Sequence, residues 1–276
     1  MTIQTAHPRI TGRTACLPII GHPVKQVHTP PAINGWLATG GIDAAMFAMD
    51  VAPGATDDFF ALLRQWGNCL GCSVTVPHKQ AAFLALDSAT QRATRIRAAN
   101  IVRRDADGRL SGDMTDGLAL VHALRAAGFR PDGARVLVAG AGGGAGMAIV
   151  DALCEAGVRE MALRETDPGR LQAVTDLLRV HHSHVTPHVH DTGGDTGGGF
   201  DLAVNATALG MRAGDPVPFE PSLVKAGGHV ADVVTPGTCT PLLTAAQAAG
   251  LRCVDGAAMA EAQLPFQMAH LGLLRD

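Results

Sequence analysis

The chain has 276 residues, of which 47% are hydrophobic, and a formal net charge of -3. That length suffices for one large or two moderate domains with a substantial core, and the nearly balanced charge gives no reason to expect nucleic acid or an anionic membrane as partner. The opening residues Met1 to His7 lack a basic stretch followed by a long apolar one, and no apolar run reaches the length of a membrane span. The expectation is a cytoplasmic protein without a signal peptide or membrane anchor. Six thinly spread cysteines suggest reduced thiols rather than a disulfide framework. Cys69 and Cys72 have C-x-x-C spacing, but no second such pair completes a zinc site, so core-packing cysteines beside a strand are expected there.

Taken in chain order, Ala15–Gly21 reads as a strand, and Pro18 near its middle favours an edge position. Ala44–Met49 and Cys72–Val76 read as further strands, and between them Phe59, Phe60, Leu63 and Trp66 fall on overlapping faces of a helix from Asp57 to Trp66. On the strand ending at Val76, side-chain alternation puts Ser73 and Thr75 on one face and the two valines on the other. The valines are then expected in the core and the hydroxyls towards a cleft. Pro77 suits the first turn of a following helix, where its missing N–H is no loss. Lys79 then stands at the mouth of that cleft, although taken alone it reads better as a solvated lysine at a helix start. Asp105–Gly108 is a hairpin-type turn that brings the chain back. Asp116 then opens a helix that begins Gly117-Leu118-Ala119-Leu120, where it can both cap and be held in place. A lysine and an aspartate held together make a proton-transfer pair.

After the turn-rich Arg130–Gly133, Val136–Ala139 is a short continuous apolar strand of the kind buried in a parallel sheet. It leads into Gly140-Ala141-Gly142-Gly143-Gly144-Ala145-Gly146, and Val150, Leu153, Cys154 and Gly157 then mark a helix face. Strand, glycine loop and amphipathic helix are the setting a dinucleotide fingerprint requires, with the pyrophosphate favoured at the helix N-terminus. Glu165 ends the next strand, about 20 residues past the loop, where an acid bonds the ribose hydroxyls of NAD and repels a 2′-phosphate. Asp167 adds to that repulsion and Arg164 softens it, so NAD is preferred and NADP remains open. Glu160–Leu163, Leu202–Val204 and His229–Val234 supply further strands, completing the βαβ repetition of a Rossmann domain. His181 to His190 is His-rich; metal binding is one reading, but no carboxylate or cysteine completes a ligand set, and an exposed connection with a short strand is preferred. Ala257–Leu274 reads as helical, with Pro265 kinking it or starting a new helix, and it is expected to pack back onto the first domain.

These segments, in this order, resemble the shikimate/quinate dehydrogenase family over nearly the whole chain. Gly21 to Pro30 is similar to the family's G-x-P-I-x-H-S-x-S-P segment, Val74-Thr75-Val76-Pro77-His78-Lys79 to V-T-x-P-x-K, and Ala98-Ala99-Asn100 to G-A-x-N. Asp116 takes the place of the aspartate in N-T-D-G, and Val204 to Met211 resembles V-N-A-T-x-x-G-M. Thr240-Pro241-Leu242-Leu243 and Asp255 to Met259, then Gln263, resemble the closing T-P-L-L and G-x-x-M-L-x-x-Q segments. The fold implied is α/β, an N-terminal substrate domain over residues 1–116 completed by 255–276 and a Rossmann domain over 117–254, with the active site in the cleft between them. The activity implied is reversible hydride transfer between a ring hydroxyl of shikimate, quinate or a related hydroxy acid and NAD(P), in a monomer or homodimer. Lys79 would pass the proton, and Asp116 would orient the lysine and bond a neighbouring hydroxyl.

The resemblance also implies substrate contacts at Val27, Thr29, Ser73, Thr75, Asn100 and Gln263. It implies cofactor contacts at Gly140, Gly142, Gly143, Gly144, Ala145, Glu165, Thr166, Asp167, Asn205, Ala206, Thr207, Met211, Val233, Gly256 and Met259, and no metal. The departures cluster at substrate recognition. Of the two serines that hold the substrate carboxylate in the family, one is Val27 here and the other Thr29; an asparagine is Ser73; a tyrosine is Val234, and the chain contains no tyrosine. Each lost charged hydrogen bond costs about 1.5–3 kcal/mol. The family's N-R-T segment for NADP is Glu165-Thr166-Asp167, without the arginine. An alternative reading is a ligand-binding regulatory protein that kept this fold and lost most of its activity; a Rossmann enzyme of folate or amino-acid metabolism is a third.

Overall fold

A computed structural model describes residues 10–189, 198–234 and 239–274. The chain forms two compact units, Met1–Met114 with Gln267–Asp276, and Thr115–Phe266.

The first unit contains β1 (Ala15–Gly21), α1 (Thr29–Thr39), β2 (Ala44–Asp50), α2 (Thr56–Gln65), β3 (Gly71–Val74), α3 (Lys79–Leu84), β4 (Ser88–Ala89), α4 (Gln91–Ile96), β5 (Ile101–Arg104) and β6 (Leu110–Asp113). Its sheet runs β2-β1-β3-β5-β6-β4. Strands β1, β2 and β3 pair in parallel, and the hairpin at Asp105–Gly108 makes β5 and β6 antiparallel. Phe59, Phe60 and Leu63 of α2 bury against Ile20, Cys72 and Val74 of the sheet. Acidic Asp57 and Asp58 in the first turn of α2 and Arg64 in the last suit the helix dipole. Cys69 and Cys72 both belong to this core, and burial pushes the Cys69 thiol up to about 11.

Strand β1 is not an edge strand, despite Pro18. It pairs with β2 along its whole length and meets β3 at Ile19 and Ile20. Cys16 N–H donates to Asn68 O on the β3 side, so Pro18, two residues on, turns its ring nitrogen to that side. The ladder skips that position, and the Leu70 carbonyl, whose neighbour Leu70 N–H donates to Cys16 O, accepts from Arg104 N–H instead. The sheet thus accommodates the missing donor by giving the carbonyl another partner.

The true edge is β2, on the other side of β1, and it is covered. The Asn34 amide, on α1, accepts from Met46 N–H (2.7 Å) and donates to Met46 O (2.9 Å). A side-chain amide with one donor and one acceptor stands in for a neighbouring strand and blocks edge-to-edge pairing. Asn34→Ala is expected to lower the unfolding free energy by about 1–3 kcal/mol, two hydrogen bonds at their usual net worth, and to raise concentration-dependent light scattering. Urea titration and scattering measure the two effects.

The second unit contains α5 (Asp116–Ala126), β7 (Arg135–Ala139), α6 (Gly144–Glu155), β8 (Glu160–Arg164), α7 (Pro168–His181), β9 (Thr186–Val189), β10 (Phe200–Asn205), β11 (Val224–Asp232), α8 (Pro241–Ala248), β12 (Arg252–Val254) and α9 (Gly256–His270), whose last residues belong to the first unit. Its sheet is parallel throughout, in the order β12-β11-β10-β7-β8-β9. Numbered within the unit this is 6-5-4-1-2-3, the doubly wound Rossmann order, and the direction of winding reverses between β7 and β10. Leu137, Phe200, Ala203, Val230 and Leu242 form its core. Helix α9 is one helix with Pro265 inside it.

The His-rich tract divides. His182 is buried and its Nε2 lies 2.7 Å from Asp151 Oδ1, unlike the exposed connection expected. His188 sits on the exposed β9, and His190 lies outside the described residues. Among the described residues no three His, Cys, Asp or Glu side chains are placed to hold a metal ion, and no helix is long and apolar enough to cross a membrane.

Candidate functional site

In the first unit the Lys79 segment departs from the expected helix start. Strand β3 ends at Val74, so Val76 is not in the core but 64% exposed. Pro77 follows a cis peptide bond and lies in a turn ahead of α3, not in its first turn. The buried His78 fixes this turn: its Nε2 lies 2.6 Å from Val51 O, its Nδ1 3.3 Å from Thr56 Oγ1, and its carbonyl accepts from Ala82 N–H. Lys79 therefore heads α3 on a backbone anchored by the residue before it. Its own carbonyl accepts from Ala99 N–H at 2.9 Å, which brings Lys79 beside the buried Asn100.

Asn100 is held on both sides, donating through its backbone N–H to Asp113 O and accepting at its carbonyl from Val74 N–H. Ser73 is buried, and its hydroxyl donates to Gln267 Oε1 at 3.4 Å. Thr75 abuts Gly21 so closely that a Cβ there would lie 2.5 Å from its methyl group, which seats the Gly21–Val27 segment on the Lys79 segment. Val27 and Thr29 are half-buried, Thr29 as the first residue of α1. Lys79, Asn100, Ser73 and Thr75 are thus brought together. Asp113 carries a further group: its buried carboxylate accepts from Arg92 Nε and Nη2, Thr90 Oγ1 and Met114 N–H at 2.5–2.7 Å. Burial alone would raise this carboxyl; the Arg92 fork and the Thr90 hydroxyl outweigh it and hold it below the usual range.

In the second unit Asp116 is the first residue of α5, with Thr115 in the cap position. It is buried, and Gln263 Nε2 donates to its Oδ1 at 2.6 Å. Gly117 explains how α5 begins here: a Cβ would lie 2.0 Å from Ala148 O, so only a glycine lets α5 press onto α6. Asp116 is thereby carried on a helix packed directly against the helix of the glycine loop.

That loop lies at the switch point of the sheet. Gly140 has φ +75°, and a Cβ there would meet Thr207 N, Thr207 Cγ2 and Ala206 C at 2.8–3.0 Å, so the loops after β7 and β10 touch. A Cβ on Gly142 would lie 2.5 Å from Arg170 O. Gly144, the first residue of α6, has open space where its Cβ would be, and no side chain caps that helix. Uncapped N–H groups and room for close approach are what a pyrophosphate needs, so these residues fit a dinucleotide. Glu165 closes the loop: its carboxylate accepts from Gly142 N–H at 3.1 Å and from Thr166 and Asp167 N–H at 2.9 and 3.1 Å. Asp167 caps α7 through Arg170 N–H. Arg164 turns away, donating through Nη1 to Pro218 O at 2.5 Å.

The remaining cofactor-side residues gather around Asp232. This buried carboxylate accepts from Asn205 Nδ2 (2.9 Å), Val234 N–H (3.1 Å) and Thr240 Oγ1 (2.7 Å), and burial holds it above the usual carboxylate range. Asn205 in turn accepts from Thr207 N–H and Oγ1–H, fixing the loop that begins with Ala206. Gly256 comes so near Val233 O that a Cβ would lie 2.7 Å from it; Met259 is buried and Met211 exposed. Sequence reading missed His78, Asp113, Asp232 and Gln267. Gln267 had a signal, since it falls four residues after Gln263 on one helix. The partners of Asp113 and Asp232 had none, because Arg92 and Asn205 are 21 and 27 residues away.

Residues 19–102 match the family described as the shikimate dehydrogenase substrate binding domain. A shikimate dehydrogenase (NADP(+)) from Rubrobacter xylanophilus is 38% identical over 253 residues, 91% of this chain and 88% of that protein. Among solved structures, the shikimate 5-dehydrogenase of Listeria monocytogenes in complex with shikimate and NAD superposes with a TM-score of 0.86 at 25% identity, covering 98% of this chain and 96% of the other. The 5-ketofructose reductase of Gluconobacter sp. strain CHM43 gives 0.85 at 25% identity, covering 96% of each. With such identity across nine-tenths of its length, the chain belongs to the shikimate dehydrogenase family, a family of oxidoreductases.

Proposed function

We propose that the chain reversibly oxidises a ring hydroxyl of shikimate, quinate or a closely related hydroxy acid with NAD. The observation that carries this reading is the anchoring of Lys79 and Asn100 to one another through Ala99, which presents an ammonium and an amide from one rigid piece of backbone. The bound nicotinamide supplies the hydride acceptor. Lys79, as the neutral amine, takes the proton from the hydroxyl as it becomes a carbonyl, and as the ammonium returns it in reduction. Asn100 and Asp116 hold neighbouring hydroxyls, with Gln263 fixing the Asp116 carboxylate through its 2.6 Å bond.

Preference for NAD rests on Glu165. Its carboxylate lies just past β8, where the ribose would sit beside the glycine loop, and a 2′-phosphate brought there meets like charge. Arg164, the adjacent cation, is engaged by Pro218 O. The relative from Rubrobacter xylanophilus is named for NADP(+), so the preference is a specific claim about this chain. It is expected that kcat/KM with NAD exceeds that with NADP at least tenfold, and that Glu165→Ala narrows the ratio; preference for NADP in the unaltered chain overturns it.

A second reading concerns the substrate. Val27 and the buried Val234 offer no side-chain donor to a carboxylate, and one structural neighbour reduces 5-ketofructose, which has none. The same assay decides: turnover of shikimate or quinate supports the acid, and turnover of 5-ketofructose alone replaces it with an uncharged keto-sugar. No turnover of any of them, with cofactor bound, favours the regulatory alternative.

A further inference from the structure

We propose that Arg92 is a positioning residue for the proton-transfer reaction: through Asp113 it fixes the backbone that carries Asn100 and, by way of Ala99, Lys79. This rests on the roles given above to Asn100 and Lys79.

The geometry is that of a clamp closed from several directions. Arg92 delivers two bonds from one planar guanidinium, Nε to Asp113 Oδ1 at 2.7 Å and Nη2 to Oδ2 at 2.5 Å, which fixes the plane of the carboxylate as well as its distance. Thr90 Oγ1–H adds a third bond at 2.5 Å. The Thr90 oxygen also accepts from Ala93 N–H, so the residue that starts α4 is tied to Asp113 and Arg92 rides on that same helix. Asp113 is buried while the guanidinium is about one-third exposed, so the arginine reaches in from the surface to the carboxylate.

What the clamp holds is backbone. The Asp113 carboxylate accepts from the N–H of Met114, the residue immediately after it, at 2.7 Å, and so sets the direction in which the chain leaves β6. The Asp113 carbonyl meanwhile accepts from Asn100 N–H at 3.0 Å, and Ala99 N–H holds the Lys79 carbonyl at 2.9 Å. Asn100 is thus one hydrogen bond from Asp113, and Lys79 one further hydrogen bond beyond the neighbouring Ala99. A displacement of Asp113 moves both, and errors of about 1 Å in such placement can cost about 10²-fold in rate.

The test compares Arg92→Met, Arg92→Lys and Lys79→Ala with the unaltered chain, measuring kcat, substrate KM, cofactor Kd by nicotinamide fluorescence and the thermal midpoint. Arg92→Met is expected to lower kcat at least thirtyfold with cofactor Kd within threefold, because the glycine loop takes no part in the clamp. Arg92→Lys keeps the charge but not the fork, and is expected to recover at least a third of the loss on a logarithmic scale. A folded Arg92→Met protein with kcat within threefold of the unaltered chain overturns the proposal. So does a rise in substrate KM at constant kcat, which would make Arg92 a binding group. If Arg92→Met does not fold, Arg92→Lys decides alone: a fall in kcat with cofactor Kd and thermal midpoint kept supports the clamp, and unchanged kcat overturns it. Full activity in Lys79→Ala sinks the underlying role of Lys79 instead, and is distinguishable because it leaves the Arg92 results standing.

Discussion

Lys79→Ala is expected to reduce kcat by about 10²–10⁴-fold, the usual worth of a positioned proton-transfer group, with cofactor affinity unchanged. The substitution isolates chemistry from folding. The turn that places Lys79 is built by its neighbours, with His78 bonded to Val51 and Thr56, and by the Lys79 carbonyl, which any residue provides. Alanine is also the best helix former, so α3 gains rather than loses. The ammonium alone is removed. Steady-state kinetics with fluorescence titration of the cofactor would read this: loss of kcat at constant cofactor Kd supports the assignment, and a variant within tenfold of the unaltered rate removes Lys79 from the mechanism.

Gly146→Ala should abolish useful cofactor binding, with Kd raised at least a hundredfold. On helix propensity alone the change is favourable by about 0.5–1 kcal/mol. Sterics reverse the sign. A Cβ at residue 146 would lie 2.0 Å from the Gly140 carbonyl oxygen and 2.9 Å from Ala141 C and O. These are backbone atoms that no rotamer can move aside, so either α6 shifts away from the loop or the loop unfolds. Both destroy the close approach on which pyrophosphate binding depends. Gly144→Ala is the matched control for the fold, since nothing lies within 4 Å of its added Cβ, and its thermal midpoint is expected to stay within a degree or two of the unaltered chain, about 0.5 kcal/mol or less. Binding within threefold in Gly146→Ala would falsify the loop's assignment as the cofactor cradle.

The parts of this fold set by short-range pattern were legible. Strand β1 was bounded to the residue at Ala15–Gly21, and the strand–glycine loop–helix unit from Arg135 to Glu155 follows from composition and period. What failed was inference about neighbours. Pro18 implied an edge because a missing N–H usually excludes a central strand, but the sheet redirected the Leu70 carbonyl to Arg104, 34 residues further on. Val76 obeyed the alternation rule only as far as the strand itself extended, and β3 stops at Val74. His182 looked like part of an exposed tract until Asp151, 31 residues earlier, supplied a buried partner. At the site, Lys79, Asn100 and Asp116 stood out because each sits in a recognisable short segment. Arg92, Asp113 and Asp232 did not, because their roles exist only once distant strands are paired.

The division of the chain also sets an order of assembly. Residues 115–266 are contiguous and can complete their unit as soon as they are synthesised. The N-terminal unit cannot, because Ser73 waits for Gln267 and the Ser111 carbonyl for His270, both synthesised after residues 115–266. On the ribosome the unit begun first is therefore the unit finished last, and Ser73, in the strand that leads to the Lys79 segment, gains its Gln267 partner only when α9 arrives.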